Sequence, residues 1–502
     1  MDECLGKYGI TVERPVTATS ITQDDSGVTT TLELPDRKTE RIWSKYVVGC
    51  DGAHSAVRHA SKLIAFPGAP YPQNFILCDV HLRNSDIPHD RLALYLDNKG
   101  VVGILPMNGE LIRVIVSRSP VPVKDQEVPT LDQLQASFTS LTSPSTGTLE
   151  DPVWLTRFRL HHRCASQYRD GRLFIAGDAA HIHSPAGGQG MNAGIQDSIN
   201  LGWKLAHALS LQSQSSSSSS PSPSPRNQHL SAAADALLDT YDLERRPVGM
   251  ALLRGTDRLF LFMTAPSPWF VPYRNFVLRY VMPWAARSRG RRRRAFHFLS
   301  QFGVDYRGRS RIVGDAMGGF WSWRGGGGGV RGGDRLPDGK VWDVLRGGET
   351  SLQRVCVGAP HHLVLFAGGA GREGDLHVAA ELETAAERAL AACKTEVRVH
   401  YISGEGRTVE REDWYADRKG ELHAKFGFAK RPGYVLVRPD GYVAHIGLLA
   451  KLDRFVAFLD GYLVSPLVTP PRSLVKFVSP LVWAAAGAGL AVKLWRMIAR
   501  RV

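Results

Sequence analysis

The segment Gly171 to Ala206, GRLFIAGDAAHIHSPAGGQGMNAGIQDSINLGWKLA, constrains this chain more than any other. Arg172 to Ala176 reads as a short apolar strand ending at Gly177-Asp178, where a small residue lets backbone approach a ligand and a carboxylate can accept hydrogen bonds from sugar-like hydroxyls. After His181-Ile182-His183-Ser184-Pro185 comes the run Gly187-Gly188-Gln189-Gly190-Met191-Asn192. The pattern then predicts a helix through about Ala208, with apolar or small residues at Ile195, Ile199, Gly202 and Leu205. A glycine-rich turn feeding a helix start presents unpaired N–H groups and partial positive charge. Such turns also serve as plain strand-to-helix connections, and GGQG alone is weak evidence.

Strand, Gly-Asp, proline, glycine turn and helix in this order fit a flavin: Asp178 suits the ribityl chain of FAD, and the helix start suits the anionic N1/C2 edge of the reduced ring. A second motif lies upstream. Val47 to Arg58, VVGCDGAHSAVR, reads as a buried strand stopping at Asp51-Gly52, followed by a helix with Ser55 and Arg58 near its start. Alone it is moderately specific, because Asp-Gly is a common turn.

Together these segments resemble the DG and GD fingerprints of the FAD-dependent aromatic hydroxylases, of the phenol hydroxylase and para-hydroxybenzoate hydroxylase type. Tyr241 to Pro247, YDLERRP, resembles the family's YxxERRP segment, and Ser300 to Tyr306, SQFGVDY, its SQLGVDY close. Gly333 to Gly339, GDRLPDG, resembles the opening of the thioredoxin-like C-terminal domain of the phenol hydroxylase branch. The implied fold class is α/β: a partial FAD-binding Rossmann-like domain with an inserted β-sheet substrate domain, plus a C-terminal thioredoxin-like α/β domain.

The family opens with a strand, GxGxxG and a helix that hold the FAD pyrophosphate. Met1 to Arg58 contains no GxGxxG, and Val16 to Ser20, Val28 to Leu34 and Ile42 to Val48 read instead as strands, with turns at Asp24 to Gly27 and at Pro35-Asp36. By resemblance, a dinucleotide-binding half on the order of 100 residues is expected to be absent. A shortened gene model, a fragment or a decayed copy are the alternatives. Gly325 to Gly329 is no substitute: it has no following apolar helix and reads as a flexible interdomain loop.

Along the chain the expected organisation is a partial FAD-binding domain over 1–66, a substrate-domain β-sheet over 67–156, and the FAD-binding domain with its GD motif over 157–209. A low-complexity loop over 210–229, rich in Ser and Ser-Pro, follows. Then come a helical part over 230–325 and a thioredoxin-like domain over 331–463, whose lack of CxxC argues for packing or dimer formation rather than disulfide exchange. The tail, 472–502, holds an uncharged run of 16 residues from Phe477 to Val492, just under the roughly 17 to 25 needed to span a bilayer. It is a candidate membrane anchor, against an amphipathic or core-docked helix.

Six cysteines without CxxC or metal-ligand spacing point to reduced thiols in an intracellular, cytoplasmic protein, with membrane association through the tail as the alternative. His181 and His183 lack further ligands, so no metal is expected. The net charge of +14 centres on Arg287, Arg289 and Arg291 to Arg294, which show no interleaved aromatic pattern. A solvated basic face is the plain reading, anionic lipid the next and nucleic acid the last. Part of the excess suits the phosphates of NADPH.

The resemblance implies that NAD(P)H reduces FAD, that O2 adds at flavin C4a, and that the hydroperoxide passes its terminal OH to a phenolic or related aromatic ring. Carried over, Asp178 and Gly177 hold the ribityl chain, Gly187, Gly188, Gln189, Gly190, Met191 and Asn192 face the isoalloxazine, and Asp51, Gly52 and Arg58 lie near the pyrophosphate and nicotinamide route. Pro185 borders the reacting edge. Plainer roles compete: Pro185 shapes the turn, Asp178 caps a helix, Arg58 pairs with a surface carboxylate. The competing function is a non-catalytic remnant with weak or no FAD binding. A small aromatic substrate and a homodimer are the expected partners.

Overall fold

The computed structural model describes residues 2–88, 90–97, 100–118, 129–143, 146–184, 187–216, 225–265, 267–317, 329–368, 375–393, 395–404 and 412–462. Pro185, the centre of the serine-rich tract, Gly325 to Gly328 and the 472–502 tail lie outside them. The described chain divides into two compact units, one of residues up to 194 with 249–300, the other of 195–248 with residues from 301 on.

In the first unit a short helix α1 (Asp2–Gly6) precedes an antiparallel meander of β1 (Thr17–Gln23), β2 (Val28–Glu33) and β3 (Thr39–Ser44). Asp24 shapes its first turn by accepting from the amides of Ser26 and Gly27 at 2.7 and 2.9 Å. The strand β4 (Val47–Gly49) pairs in parallel with β11 (Leu173–Ile175), and β10 (Arg169–Asp170) flanks β11. All three side chains of β11 are buried, as its unbroken apolar run predicts. Because β4 and β11 are parallel neighbours, the DG and GD motifs leave the sheet at the same edge. Ser55 caps the helix α2 (Ala56–Ala60) by accepting from the Arg58 amide at 3.0 Å.

A six-stranded sheet follows, in the order β12-β9-β5-β8-β7-β6. Its members are β5 (Gly68–Arg83), β6 (Ala93–Leu96), β7 (Gly100–Pro106), β8 (Leu111–Arg118), β9 (Thr148–Cys164) and β12 (His181–Ile182). Helix α3 (Leu131–Leu141), held by a Thr130/Gln133 capping box, buries Leu134, Phe138 and Leu141 against one face. Tyr71, Phe75 and Phe260 cluster with Phe158 and Leu160. The expected boundary at 156/157 is wrong: β9 runs unbroken across it for 17 residues, held by pairing with β5 from Thr148 to Arg163. Its charged positions hid it from a hydrophobicity pattern.

Helices α4 (Gly190–Ser216) and α5 (Pro225–Thr264) extend into the tract expected as a loop, so Ser210 to Ser216 and Pro225 to His229 are helical. Propagating an established helix costs little per added residue, which lets the flanking helices recruit serines. The first unit ends in α6 (Phe270–Phe276), a π turn (Val277–Val281), α7 (Met282–Ala286) and α8 (Arg289–Leu299).

The second unit is built on an eight-stranded sheet ordered β13-β20-β19-β16-β17-β18-β14-β15. These are β13 (Gly314–Ala316), β14 (Lys340–Asp343), β15 (Gly348–Ser351), β16 (His361–Phe366), β17 (Val397–Ser403), β18 (Trp414–Ala416), β19 (Gly433–Val437) and β20 (Val443–Leu448). Helices α9 (Leu352–Val355), α10 (Asp375–Ala392), α11 (Glu421–Phe426) and α12 (Leu452–Tyr462) complete it. Every residue of β16 and β19 is buried.

The second unit also carries a buried ionic cluster. Glu244 accepts from Lys204 at 2.8 Å, from Asn200 at 2.7 Å and from both terminal nitrogens of Arg438 at 2.7 and 2.9 Å, and Arg438 also pairs with Asp440. Burial opposes the charge on Glu244, but Arg438 and Lys204 overcome it and hold its carboxyl well below the usual range. Arg245 donates to Asp197 at 2.7 Å and to the Tyr306 hydroxyl at 3.2 Å. The YDLERRP and SQFGVDY segments thus meet in a structural clamp.

Four histidines of the same unit are buried and neutral. Burial, with His207 and Arg438 nearby, pushes His361 down to about 3, and burial, with positive neighbours for two of them, holds His362, His400 and His445 at about 4. Unfolding restores an ordinary pKa near 6.5, so the unfolded chain binds more protons than the native one between about pH 6.5 and 4. Chemical denaturation as a function of pH is expected to show stability present above pH 6.5 and lost as pH falls toward 4, by on the order of 5 kcal/mol in sum. A flat profile over that window would contradict the burial of these rings.

Candidate functional site

The parallel pairing of β4 with β11 brings the two sequence motifs side by side, at the carboxyl ends of strands where ligands bind in α/β sheets. Gly52 holds the left-handed φ of +79° that the DG turn requires, and Asp51 folds back to accept from the amides of Ala56 at 2.6 Å and Val57 at 3.3 Å. Asp51 therefore caps α2.

Among the described residues Arg58 makes no hydrogen bond to a surface carboxylate. Its side chain is buried, donating to the Ala53 carbonyl of the DG turn at 2.7 Å and to the Ala179 carbonyl of the GD turn at 2.8 Å, with its guanidinium 3.9 Å over the Phe66 ring. Burial and the nearby Arg163 lower its pKa against the opposing pull of Asp51.

In the GD turn, Gly177 adopts a φ of +59° and packs on Gly194 in the first turns of α4. A side chain on Gly194 would meet the Gly177 backbone at 3.2 Å. The contact is tight for any side chain at Gly194, and the positive φ of Gly177 favours glycine there. Asp178 is exposed beside it and accepts no hydrogen bond among the described residues. Gly187 and Gly188 have φ of +104° and +62°, and α4 starts at Gly190. The first helical bond runs from the Ala193 amide to the Gln189 carbonyl at 3.0 Å, so the amides of Gly190, Met191 and Asn192 precede the ladder. Met191 and Asn192 are exposed. Gln189 differs: it is buried, with its side-chain amide donating to the Phe298 carbonyl at 3.4 Å. His183 Nδ1 lies 2.8 Å from the Ser184 carbonyl, while its buried Nε2 has no partner among the described residues. Burial lowers the His183 pKa, so the ring is neutral at neutral pH.

One feature escaped the sequence reading. Arg157, Arg159, His161 and Arg163 share a face of β9 through the two-residue period. Arg157 Nη1, His161 Nδ1 and Arg163 Nε are buried without partners among the described residues. Burial first, then the charges of Arg163, His54 and Arg159, depress the His161 pKa. The DG turn, through His54 and Arg58, is thus electrostatically coupled to a cationic strip. The alternation RxRxHxR was the legible signal.

Residues 1–219 match the model of an FAD binding domain, and residues 398–467 that of the phenol hydroxylase C-terminal dimerisation domain. Over these two segments the chain is similar to the FAD-dependent aromatic hydroxylases. Among relatives of this family, it is 40% identical over 258 residues to the uncharacterised aromatic compound monooxygenase YhjG of Bacillus subtilis, covering 51% of this chain and 47% of that protein. Against pentachlorophenol 4-monooxygenase of Sphingobium chlorophenolicum the identity is 34%, covering 48% and 40%. The chain thus spans about half the length of these relatives or less. The solved structure of CabE, an aromatic hydroxylase from angucycline biosynthesis, aligns at a TM-score of 0.62 and 28% identity over 88% of this chain and 75% of that one. OxyS, an anhydrotetracycline hydroxylase from Streptomyces rimosus, aligns at 0.63 and 26% over 92% and 77%. Among the described residues no helix is long and apolar enough to cross a membrane.

Arg58→Met strands two carbonyls in a buried joint and removes the cation from Phe66. It is expected to lower stability by about 3 kcal/mol in urea unfolding. A change within experimental error would show that the two motifs are held together by β4 and β11 alone.

Proposed function

We propose that the chain is the catalytic part of an FAD-dependent monooxygenase that hydroxylates a phenolic or related aromatic substrate with NAD(P)H and O2. The observation that carries this reading is the Gly177/Gly194 approach, which sets an exposed Asp178 by the start of α4, where the amides of Gly190 to Asn192 precede the helical ladder. These residues fit the ribityl and isoalloxazine part of FAD. A carboxylate accepts from ribityl hydroxyls, and a helix N-terminus favours negative charge at a ring carbonyl edge. FAD, when bound, supplies two-electron transfer and O2 activation.

The chain's own residues orient and exclude. The helix start holds developing negative charge without needing a proton. Neutral His183 adds no competing cation at that turn. Pro185, between His183 and the glycine turn in sequence, is proposed to border the reacting edge. The Tyr71, Phe75, Phe158 and Phe260 cluster is proposed to help roof an aromatic substrate and keep water out. The cationic strip of β9 supports a phosphate-bearing co-substrate, NAD(P)H: its unpartnered nitrogens are donors that such phosphates would satisfy. Asp51, Gly52 and Arg58 act by shaping the motif edge rather than by touching phosphate.

The second unit supports a thioredoxin-like reading. Strands β16 and β17 are parallel, with α10 between them in sequence, β19 runs antiparallel beside β16, and β20 antiparallel beside β19, followed by α12. Its proposed role is homodimer formation, which the matched dimerisation model supports.

The test is reconstitution of the purified chain with FAD, followed by NADPH oxidation and product analysis with phenols. A bound-flavin spectrum and a hydroxylated product are expected. Gly194→Val is expected to abolish flavin retention. His161→Ala with Arg163→Ala is expected to raise the KM for NADPH at least about tenfold, for two lost charge-assisted contacts, with flavin content unchanged. A colourless chain at excess FAD would refute the reading. An unchanged KM in the double variant would remove the β9 strip from it.

A further inference from the structure

None of the chemistry above uses the helical segment that closes the first unit. Helix α6, the π turn and α7 run on as one helix from Phe270 to Ala286, and α8 follows. From Arg258 to Val304 the sequence holds nine arginines and neither Asp nor Glu. Over α6 to α8 only Arg274 and Ala285 are buried, so these helices contribute little to a core. Arg274 is the tether, donating to the Met263 carbonyl at 2.7 Å and to the Leu96 carbonyl at 3.3 Å.

What these helices expose is large and aromatic. Trp269 is 90% exposed, Phe276, Tyr280 and Trp284 are each 56%, Phe296 is 58% and Phe298 is 47%. The sequence pattern showed arginines without interleaved aromatics, and the folded segment corrects that reading. The Arg291 guanidinium lies 4.1 Å over the Trp284 ring, and that of Arg279 lies 5.7 Å from the Tyr280 ring. Among the described residues, Arg287, Arg289 and Arg291 to Arg294 pair with no carboxylate.

We propose that this surface docks the protein on an anionic lipid bilayer, with the arginines at the level of the headgroup phosphates and the aromatic rings in the interfacial zone. Charge complementarity selects a polyanion, and the rings select which one. A nucleic acid would neutralise the arginines but leave large apolar side chains in water, whereas a bilayer interface accepts both. Arginine suits this level because its apolar stem lies along the rings while its head reaches phosphate. The docking needs no spanning segment, and it holds independently of the redox reading.

The test is co-sedimentation of the full chain with vesicles of phosphatidylcholine alone and of phosphatidylcholine mixed with phosphatidylserine, at low and physiological salt. Two variant sets are compared with the parent: Arg291→Gln, Arg292→Gln, Arg293→Gln and Arg294→Gln together, and Trp269→Ser, Trp284→Ser and Phe296→Ser together. Circular dichroism melts check that these exposed changes leave the fold intact. Binding is expected only to the phosphatidylserine vesicles, weaker at higher salt, and at least about tenfold lower in each set. Binding that is absent, equal on both vesicle types, or unchanged in either set overturns the proposal. Loss confined to the arginine set, with tight binding to a DNA duplex used as probe, would make the surface a nucleic-acid site instead.

Discussion

The first unit depends on a buried cation, Arg58. Arg58 reaches from the start of α2 to carbonyls on two turns, Ala53 and Ala179, the latter 121 positions away, and Phe66 covers its guanidinium. Both acceptors are main-chain oxygens at the edge where β4 and β11 end, and without a donor at least the more deeply placed of them would be left unsatisfied. The geometry of the motif edge follows from that joint. It sets the DG turn against the GD turn, and the glycine pair then sets the GD turn against the start of α4. A residue read as a candidate for the pyrophosphate route also fastens the edge on which that reading rests.

Buried charge is handled in the same way elsewhere. Glu244 is wholly buried but faces Lys204, Asn200 and Arg438, and Arg245 is matched by Asp197 and Tyr306. Breaking such pairs is costly because each partner left behind is a desolvated charge. The ERR of Glu244-Arg245-Arg246 is therefore intelligible as structure: two of its three members each complete a different cluster, and the third, Arg246, makes a half-exposed pair with Asp242.

Much of this was legible in the sequence where local chemistry dominates. The Gly-Asp turn, the glycine run before α4, the Ser55 residue at the start of α2 and strands such as β2 and β11 follow from backbone permissiveness, capping and apolar patterning. Two kinds of feature were not legible. Strand β9 carries arginines and histidines where an apolar alternation was sought, because one of its faces is cationic and its order comes from pairing with β5. The contact of Arg58 with Ala179 spans 121 positions and that of Glu244 with Arg438 spans 194, separations that no window can read. The capping contact of Asp51 went unread for a simpler reason: a carboxylate five residues before the amide of Ala56 is close enough to cap the helix itself.

The ionic cluster around Glu244 bears on how such chains can be recombined. Family models match 1–219 and 398–467 as though the chain were assembled from separable modules. Yet Arg438, inside the second match, neutralises Glu244, which lies in neither, and Glu244 in turn neutralises Lys204, inside the first. Grafting a foreign C-terminal module onto this chain would leave a carboxylate and an ammonium in a dry interior unless the donor brought its own counterpart of Arg438 and Asp440. Modularity in this architecture is therefore limited by electroneutrality, and exchange between lineages has to transfer matched charges along with matched shapes.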